Sequence, residues 1–197
     1  QPIEQEAQVR LLEHVKNHKG QNSMLVLRPA DARETTECYK LMMENTTTPT
    51  GMILSRQNIN DLPQCTNYAD AKKGGYIVRD VKNATHCLIA TGSEVSTLVE
   101  AADLLDKQGI KCRIVSVPSE GLFRSQSAEY QESVIPSRGM KKFGLTAGLP
   151  VNLLGLVGSE GTIFGLESFG FSAPYKVLDE KLGFTAENVY QQIKQLI

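Results

Sequence analysis

Cys87-Leu-Ile-Ala-Thr91-Gly-Ser-Glu94 opens the stretch that decides the fold. Its first five residues are a short apolar run of the kind buried on both faces of a sheet. Gly92-Ser93-Glu94 turns the chain. Val95, Leu98, Ala102 and Leu105 then recur at helical spacing until Gly109, a helix stop. Residues 112–117 form the next apolar run. Strand, turn, helix and strand in about 30 residues make a βαβ unit, with parallel strands and a helix on one face.

The same alternation extends downstream. Pro118-Ser119-Glu120 opens a helical stretch with Leu122, Phe123 and Tyr130. Strands are expected over 142–147 and 162–166. Thr185 starts a last helix with Val189, Ile193 and Leu196 on one face. Upstream, residues 3–16 read as a helix with Ala7, Leu11, Leu12 and Val15 as its apolar stripe. Short buried strands follow at 24–27 and 51–54. Between them, Asp31-x-x-Glu34 reads as a capping box: Asp31 accepts from the Glu34 N–H, and Glu34 reaches back. Residues 59–75 are rich in Asn, Asp, Pro, Lys and Gly and lack a period, which marks a domain boundary. The expected fold class is α/β, a three-layer α/β/α arrangement with a mostly parallel sheet, preceded by part of a second α/β domain.

Composition narrows the function classes. Twenty-one basic and 22 acidic residues leave a net charge of -1 across 197 residues, which argues against a general nucleic-acid binder. No apolar run is long enough to span a bilayer. Cys38, Cys65, Cys87 and Cys112 have no C-x-x-C spacing and sit in apolar patterns, so they read as reduced core residues of a cytosolic protein.

Arg56 stands out chemically. It follows a buried strand, flanked by Ser55, Gln57 and Asn58, where α/β folds bind ligands. A guanidinium there either grips a phosphate or carboxylate or pairs with a nearby acid. Thr91-Gly92-Ser93-Glu94 reads as a tight turn with Ser93 as N-cap, in preference to an anion cradle, because Glu94 repels an anion. Residues 165–174 carry glycines, aromatics and a proline. They form either a contact loop or a turn packing Phe169 and Phe171 into the core. Glu160 and Glu167 read as solvated or locally paired acids. His14 and His18 are spaced i, i+4, and the absence of H-E-x-x-H makes them a surface helix face.

Nine short motifs occur in the order and spacing of one family: Gln1-Pro-Ile-Glu-Gln5, Leu27-Arg-Pro-Ala-Asp31, Leu54-Ser-Arg-Gln-Asn58, Gly74-Gly-Tyr-Ile-Val78, Ile89-Ala-Thr-Gly-Ser-Glu-Val95, Val115-Ser-Val-Pro118, Tyr130-Gln-Glu-Ser-Val-Ile-Pro136, Phe169-Gly-x-Ser-Ala-Pro174 and Gly183-Phe-Thr-x-Glu-Asn-Val189. The chain resembles the transketolases over its whole length. The resemblance implies that residues 1–66 are the end of the pyrimidine-binding domain, 67–78 a linker and 79–197 the C-terminal domain. It implies a cytoplasmic homodimer that moves a two-carbon ketol unit from a ketose phosphate to an aldose phosphate, in the pentose phosphate pathway. Thiamine diphosphate and a divalent cation, Mg2+ or Ca2+, serve the complete enzyme. The resemblance places the cofactor-activating glutamate, the aromatic pyrimidine pocket, the metal ligands and the catalytic histidines upstream, one histidine directly before the Gln-Pro matched by Gln1-Pro2, so no catalytic, cofactor or metal residue is expected here. The chain alone is expected to be inactive and to bind no cofactor, with its missing N-terminal part and a second copy as partners. One site residue carries over: Arg56 matches the arginine that grips the substrate phosphate. Near residue 145 the chain departs from the family, with Phe143-Gly-Leu-Thr-Ala-Gly148 and no tryptophan. A deoxyxylulose-phosphate synthase or a ketoacid dehydrogenase β-chain is the related alternative. A non-catalytic dimerisation module is the alternative from another class.

Overall fold

The computed structural model describes residues 3–62, 65 and 67–196; Gln1 and Pro2, quoted for the resemblance, lie outside them. Helix α1 (Gln5–His14) leads to strand β1 (Leu25–Leu27), helix α2 (Ala32–Glu44) and strand β2 (Thr50–Met52). β1 and β2 pair in parallel, Leu25 opposite Thr50 and Leu27 opposite Met52. A five-stranded sheet follows, built from β3 (Tyr76–Arg79), β4 (His86–Ala90), β5 (Cys112–Ser116), β6 (Lys141–Leu145) and β7 (Thr162–Phe164). Its spatial order is β3-β5-β4-β6-β7, and only β3 runs antiparallel to its neighbour.

β4 is buried at every position, because both faces of the sheet are covered. On one face Leu88, Ile114 and Phe143 pack with Leu98 and Leu105 of α3 (Glu94–Asp106) and with Val189 and Ile193 of α8 (Ala186–Lys194). On the other face Ile89 and Val115 pack with Phe123 of α4 (Glu120–Arg124), Val134 of α5 (Ala128–Val134) and Leu153 of α6 (Val151–Val157). The architecture is the α/β one read from the sequence, with a mostly parallel sheet between helical layers.

Local expectations diverge in several places. The single helix expected after Pro118 is two, α4 and α5; Ser119 and Ser127 each cap one by accepting from the backbone N–H three residues on. Helices α6 and α7 (Tyr175–Leu182) were not anticipated. Residues 67–78 hold a 3-10 helix at Tyr68–Lys73, which was not anticipated, and the start of β3. Ser93 does not cap α3: its backbone is already helical, and its hydroxyl donates to Glu94 instead. Glu34 overshoots the capping-box geometry and accepts from the N–H of Ala30, while Asp31 accepts from Glu34 N as expected, at 2.8 Å.

The largest reversal is α1. Leu11, Leu12 and Val15, the expected core stripe, are exposed, whereas Arg10 and Glu13 are buried. The helix turns its charges inward because partners await them there. Arg10 pairs with Glu6 at 2.9 Å and with Glu13 at 3.5 Å. Glu13 accepts from the Ser119 hydroxyl at 2.8 Å and from Val26 N at 3.2 Å. All four cysteines are buried and free, as expected.

Candidate functional site

In open parallel sheets the carboxyl ends of the strands are where ligands enter, so both sheets present such an end. At the small sheet, β2 ends at Met52 and the backbone N–H of Ile53 donates to Leu27 O at 2.8 Å, a last link to β1. The chain then leaves the sheet and carries Arg56 into solvent. Among the described residues, none from 54 to 60 makes a hydrogen bond or an ion pair. The loop returns at Leu62, which is buried and whose N–H donates to Asp31 Oδ2 at 2.9 Å. Arg56 is therefore free to meet an incoming anion. The alternative of pairing with a nearby acid finds no partner among the described residues.

The carboxyl end of the large sheet is closed. β4 runs out at Thr91-Gly92, and the Arg28 guanidinium lies across that turn. It donates to Thr91 O and to the Glu94 carboxylate, and Glu6 stands 3.6 Å away. Gly92 has φ +65, and a Cβ there would sit 2.5 Å from Arg28 Cζ. Only glycine allows both the left-handed turn and the guanidinium above it. Burial opposes the Arg28 charge, but Glu94 and then Glu6 outweigh it, so its pKa stands above the ordinary value. Arg10 Nη2 adds a 3.3 Å contact to the Thr91 hydroxyl. This turn was expected to be tight rather than an anion cradle, and an internal cation occupies the place where an anion would sit.

A second buried cluster seals the same edge at β5. Glu34 Oε1 accepts from the Ser116 hydroxyl at 2.7 Å. Burial pushes the Glu34 carboxyl up to about 7, against the hydrogen bonds from Ser116, Ala30 N and Tyr76; nearby Asp31 adds to the rise. Glu13 is raised too, chiefly by burial, with Arg10 and Ser119 opposing. The Tyr68 and Tyr76 hydroxyls are raised, first by burial and then by the acids they face, so they serve as donors.

The remaining candidates do not gather into a site. Glu160 and Glu167 are exposed and, among the described residues, make no hydrogen bond or ion pair. His14 ends α1 and Val15 is extended, so His14 and His18 do not share a helix face. Phe169 and Phe171 are exposed, which overturns core packing for the 165–174 segment; Lys181 lies 4.1 Å above the Phe171 ring. Among the described residues no group of three or more His, Cys, Asp or Glu has the geometry to hold a metal ion. No helix among them is long and apolar enough to cross a membrane.

Sequence reasoning singled out Glu94 as a charge that keeps an anion away, and missed Arg28 and Arg10 at the same turn. The signal for Arg28 was present: it follows a strand just as Arg56 does. Nothing in spacing alone says that α1 buries Arg10 and Glu13, since i, i+3 and i, i+4 charge pairs usually mark a solvated face.

Residues 74–185 match the family model described as the transketolase-like TK C-terminal domain. The transketolase of Staphylococcus epidermidis is 38% identical over 199 residues, which take in 100% of this chain and 29% of that protein. Transketolase 2 of Vibrio parahaemolyticus is 40% identical over the same shares. A solved Pichia stipitis transketolase in complex with sedoheptulose 7-phosphate superposes with a TM-score of 0.86 at 33% identity, covering 99% of this chain and 27% of that one. The chain thus spans less than a third of the length of these three relatives, and it belongs to the transketolase family.

Proposed function

We propose that Arg56 is the phosphate clamp of a transketolase and that this chain supplies the clamp to a site completed by the rest of the polypeptide. Residues 1–66 are then the end of the pyrimidine-binding domain, 67–78 the connection and 79–197 the C-terminal domain. The reaction is transfer of a two-carbon ketol unit from a ketose phosphate to an aldose phosphate, in the cytoplasm and within the pentose phosphate pathway, by a homodimer. Thiamine diphosphate, when bound by the complete enzyme together with a divalent cation, supplies the carbanion chemistry. The described residues form no donor set that fits the cation, and no step here runs through it. On this reading the chain by itself has no activity.

The observation that carries the proposal is the unpaired, solvent-exposed Arg56 beyond the carboxyl end of β2, in a chain of this family. Support also comes from relatives solved with sugar phosphates, xylulose 5-phosphate and sedoheptulose 7-phosphate, in the Pichia stipitis enzyme. Arg56 holds the phosphate through its planar fork, which fixes the remote end of the sugar and so orients the reacting carbonyl. Its five N–H groups carry no proton to the chemistry, because a guanidinium stays charged. The work of Arg56 is binding and orientation.

Hydrogen bonds to charged groups contribute about 1.5–3 kcal/mol, or about ten- to a hundredfold in affinity. In the complete enzyme, Arg56→Gln is expected to raise KM for a phosphorylated ketose by that factor and to leave KM for an unphosphorylated ketose unchanged. Equal effects on both donors, or none on either, overturn the clamp.

A further inference from the structure

The Arg56 loop leaves one sheet edge and comes back to one carboxylate. Its outgoing end is fixed by the Ile53 N–H on Leu27 O. Its returning end has no strand to join. The buried Asp31 side chain provides the anchor: Oδ1 accepts from Glu34 N at 2.8 Å, and Oδ2 accepts from Leu62 N at 2.9 Å and from the Tyr68 hydroxyl at 2.6 Å. The Tyr68 hydroxyl also reaches Leu62 O, at 3.4 Å. Around this carboxylate, Arg33 of α2 lies over the Tyr68 ring, 5.7 Å from its centroid, and approaches Asp61 at 3.7 Å. One residue therefore ties the first turn of α2, the far end of the arginine loop and the 3-10 helix together.

We propose that Asp31 is a positioning residue for Arg56: by holding Leu62 it fixes the span of the loop, and so the place at which the guanidinium meets a phosphate. The inference rests on the clamp reading of Arg56. Asp31 has two separable duties, one per oxygen. The cap on α2 needs one acceptor, which asparagine also provides. The hold on Leu62 needs the second acceptor, and there asparagine presents an N–H2 group to another donor. Asp31→Asn thus keeps the helix start and releases the loop. Tyr68→Phe keeps the ring beneath Arg33 and removes one hydroxyl, which gives a milder version in the same direction.

The test is a cycle in the complete enzyme with Asp31→Asn, Tyr68→Phe and Arg56→Gln, singly and with each of the first two combined with the third. KM and kcat are read for a phosphorylated and an unphosphorylated ketose. Asp31→Asn is expected to raise KM for the phosphorylated ketose about tenfold, the scale of one charge-assisted hydrogen bond, with kcat and the unphosphorylated ketose unaffected. Tyr68→Phe is expected to do the same by a smaller factor. Neither is expected to have any effect once Arg56 is Gln, because the loop then has no clamp to aim. Equal losses on both donors, or an Asp31→Asn effect that persists undiminished in Arg56→Gln, overturn the positioning role and leave Asp31 a structural residue. The clamp survives in that case as long as Arg56→Gln alone discriminates between the donors. An Arg56→Gln enzyme indifferent to the phosphate sinks the clamp itself, and with it this inference. Should Asp31→Asn not accumulate as folded protein, Tyr68→Phe carries the cycle.

Discussion

Arg28 and Arg56 each stand just past a strand of the same parallel pair, and they occupy opposite environments. Arg28 directly follows β1 and is driven into the seam between the two sheets, where Glu94, Glu6 and the Thr91 carbonyl surround its guanidinium. Arg56 follows β2 at a distance of four residues and meets only solvent. Topology alone favours both positions equally as ligand sites. What separates them is whether the chain itself delivers anions to the spot. At the large sheet α1 and α3 do so, and the crevice that would take a ligand is filled by internal ion pairs. At the small sheet no acid among the described residues reaches Arg56, and the guanidinium keeps its donors for something outside.

The first way to break this contrast is to remove an acid at the closed end. Glu94→Ala leaves Arg28 buried with only Glu6 and a carbonyl. Breaking a buried pair costs about 3–5 kcal/mol, and the remaining Glu6 puts the expected loss near the lower end of that range. Urea unfolding of the complete protein should show a clearly lowered midpoint for the cooperative unit containing β4. A midpoint equal to that of the parent would mean that the seam is wet and the closed end is not closed.

Acidity sharpens the contrast further. Glu34 titrates near 7 in the fold, against 4.5 in the unfolded chain. A group whose folded pKa is raised contributes stability that is complete below its unfolded value and lost as pH rises through its folded one. Between pH 4.5 and about 7 the closed end should therefore weaken, by up to about 3 kcal/mol for a shift of this size. Glu34→Gln, which stays neutral, should flatten that part of the curve and be the more resistant protein at pH 8. Urea midpoints of both proteins from pH 4.5 to 8 provide the check. Parallel curves would show that the carboxylate keeps its water.

The same seam explains which parts of the molecule were readable in advance. The strands and α3 were legible because Cys87–Thr91 and Leu98–Leu105 obey a single rule, apolar residues in a fixed period, and both sides of the central strand are covered. The place of Arg56 beyond a short strand was legible because it is set by that strand and its own local sequence. Helix α1 was misread for a physical reason. The side that a helix buries depends on what faces it, and here Ser119, Val26 N–H and Arg28 face it, all distant in sequence. The exposed Leu11, Leu12 and Val15 show the complement of that choice. Helix α6 went unseen because Asn152 and Gly155 interrupt its apolar pattern.

The smallest expected effect is the most discriminating, because it is close to zero. Arg56→Gln removes a charge that, among the described residues, touches no partner. A substitution at such a position usually changes stability by less than about 0.5 kcal/mol. The urea midpoint of Arg56→Gln should therefore match that of the parent, while Glu94→Ala, at the end of the other sheet, lowers it. A residue that leaves folding untouched yet changes KM for one class of substrate is held in place by what it binds. If Arg56→Gln instead destabilises the protein as Glu94→Ala does, the guanidinium has an internal acid to hold, and the two arginines are of the same kind after all.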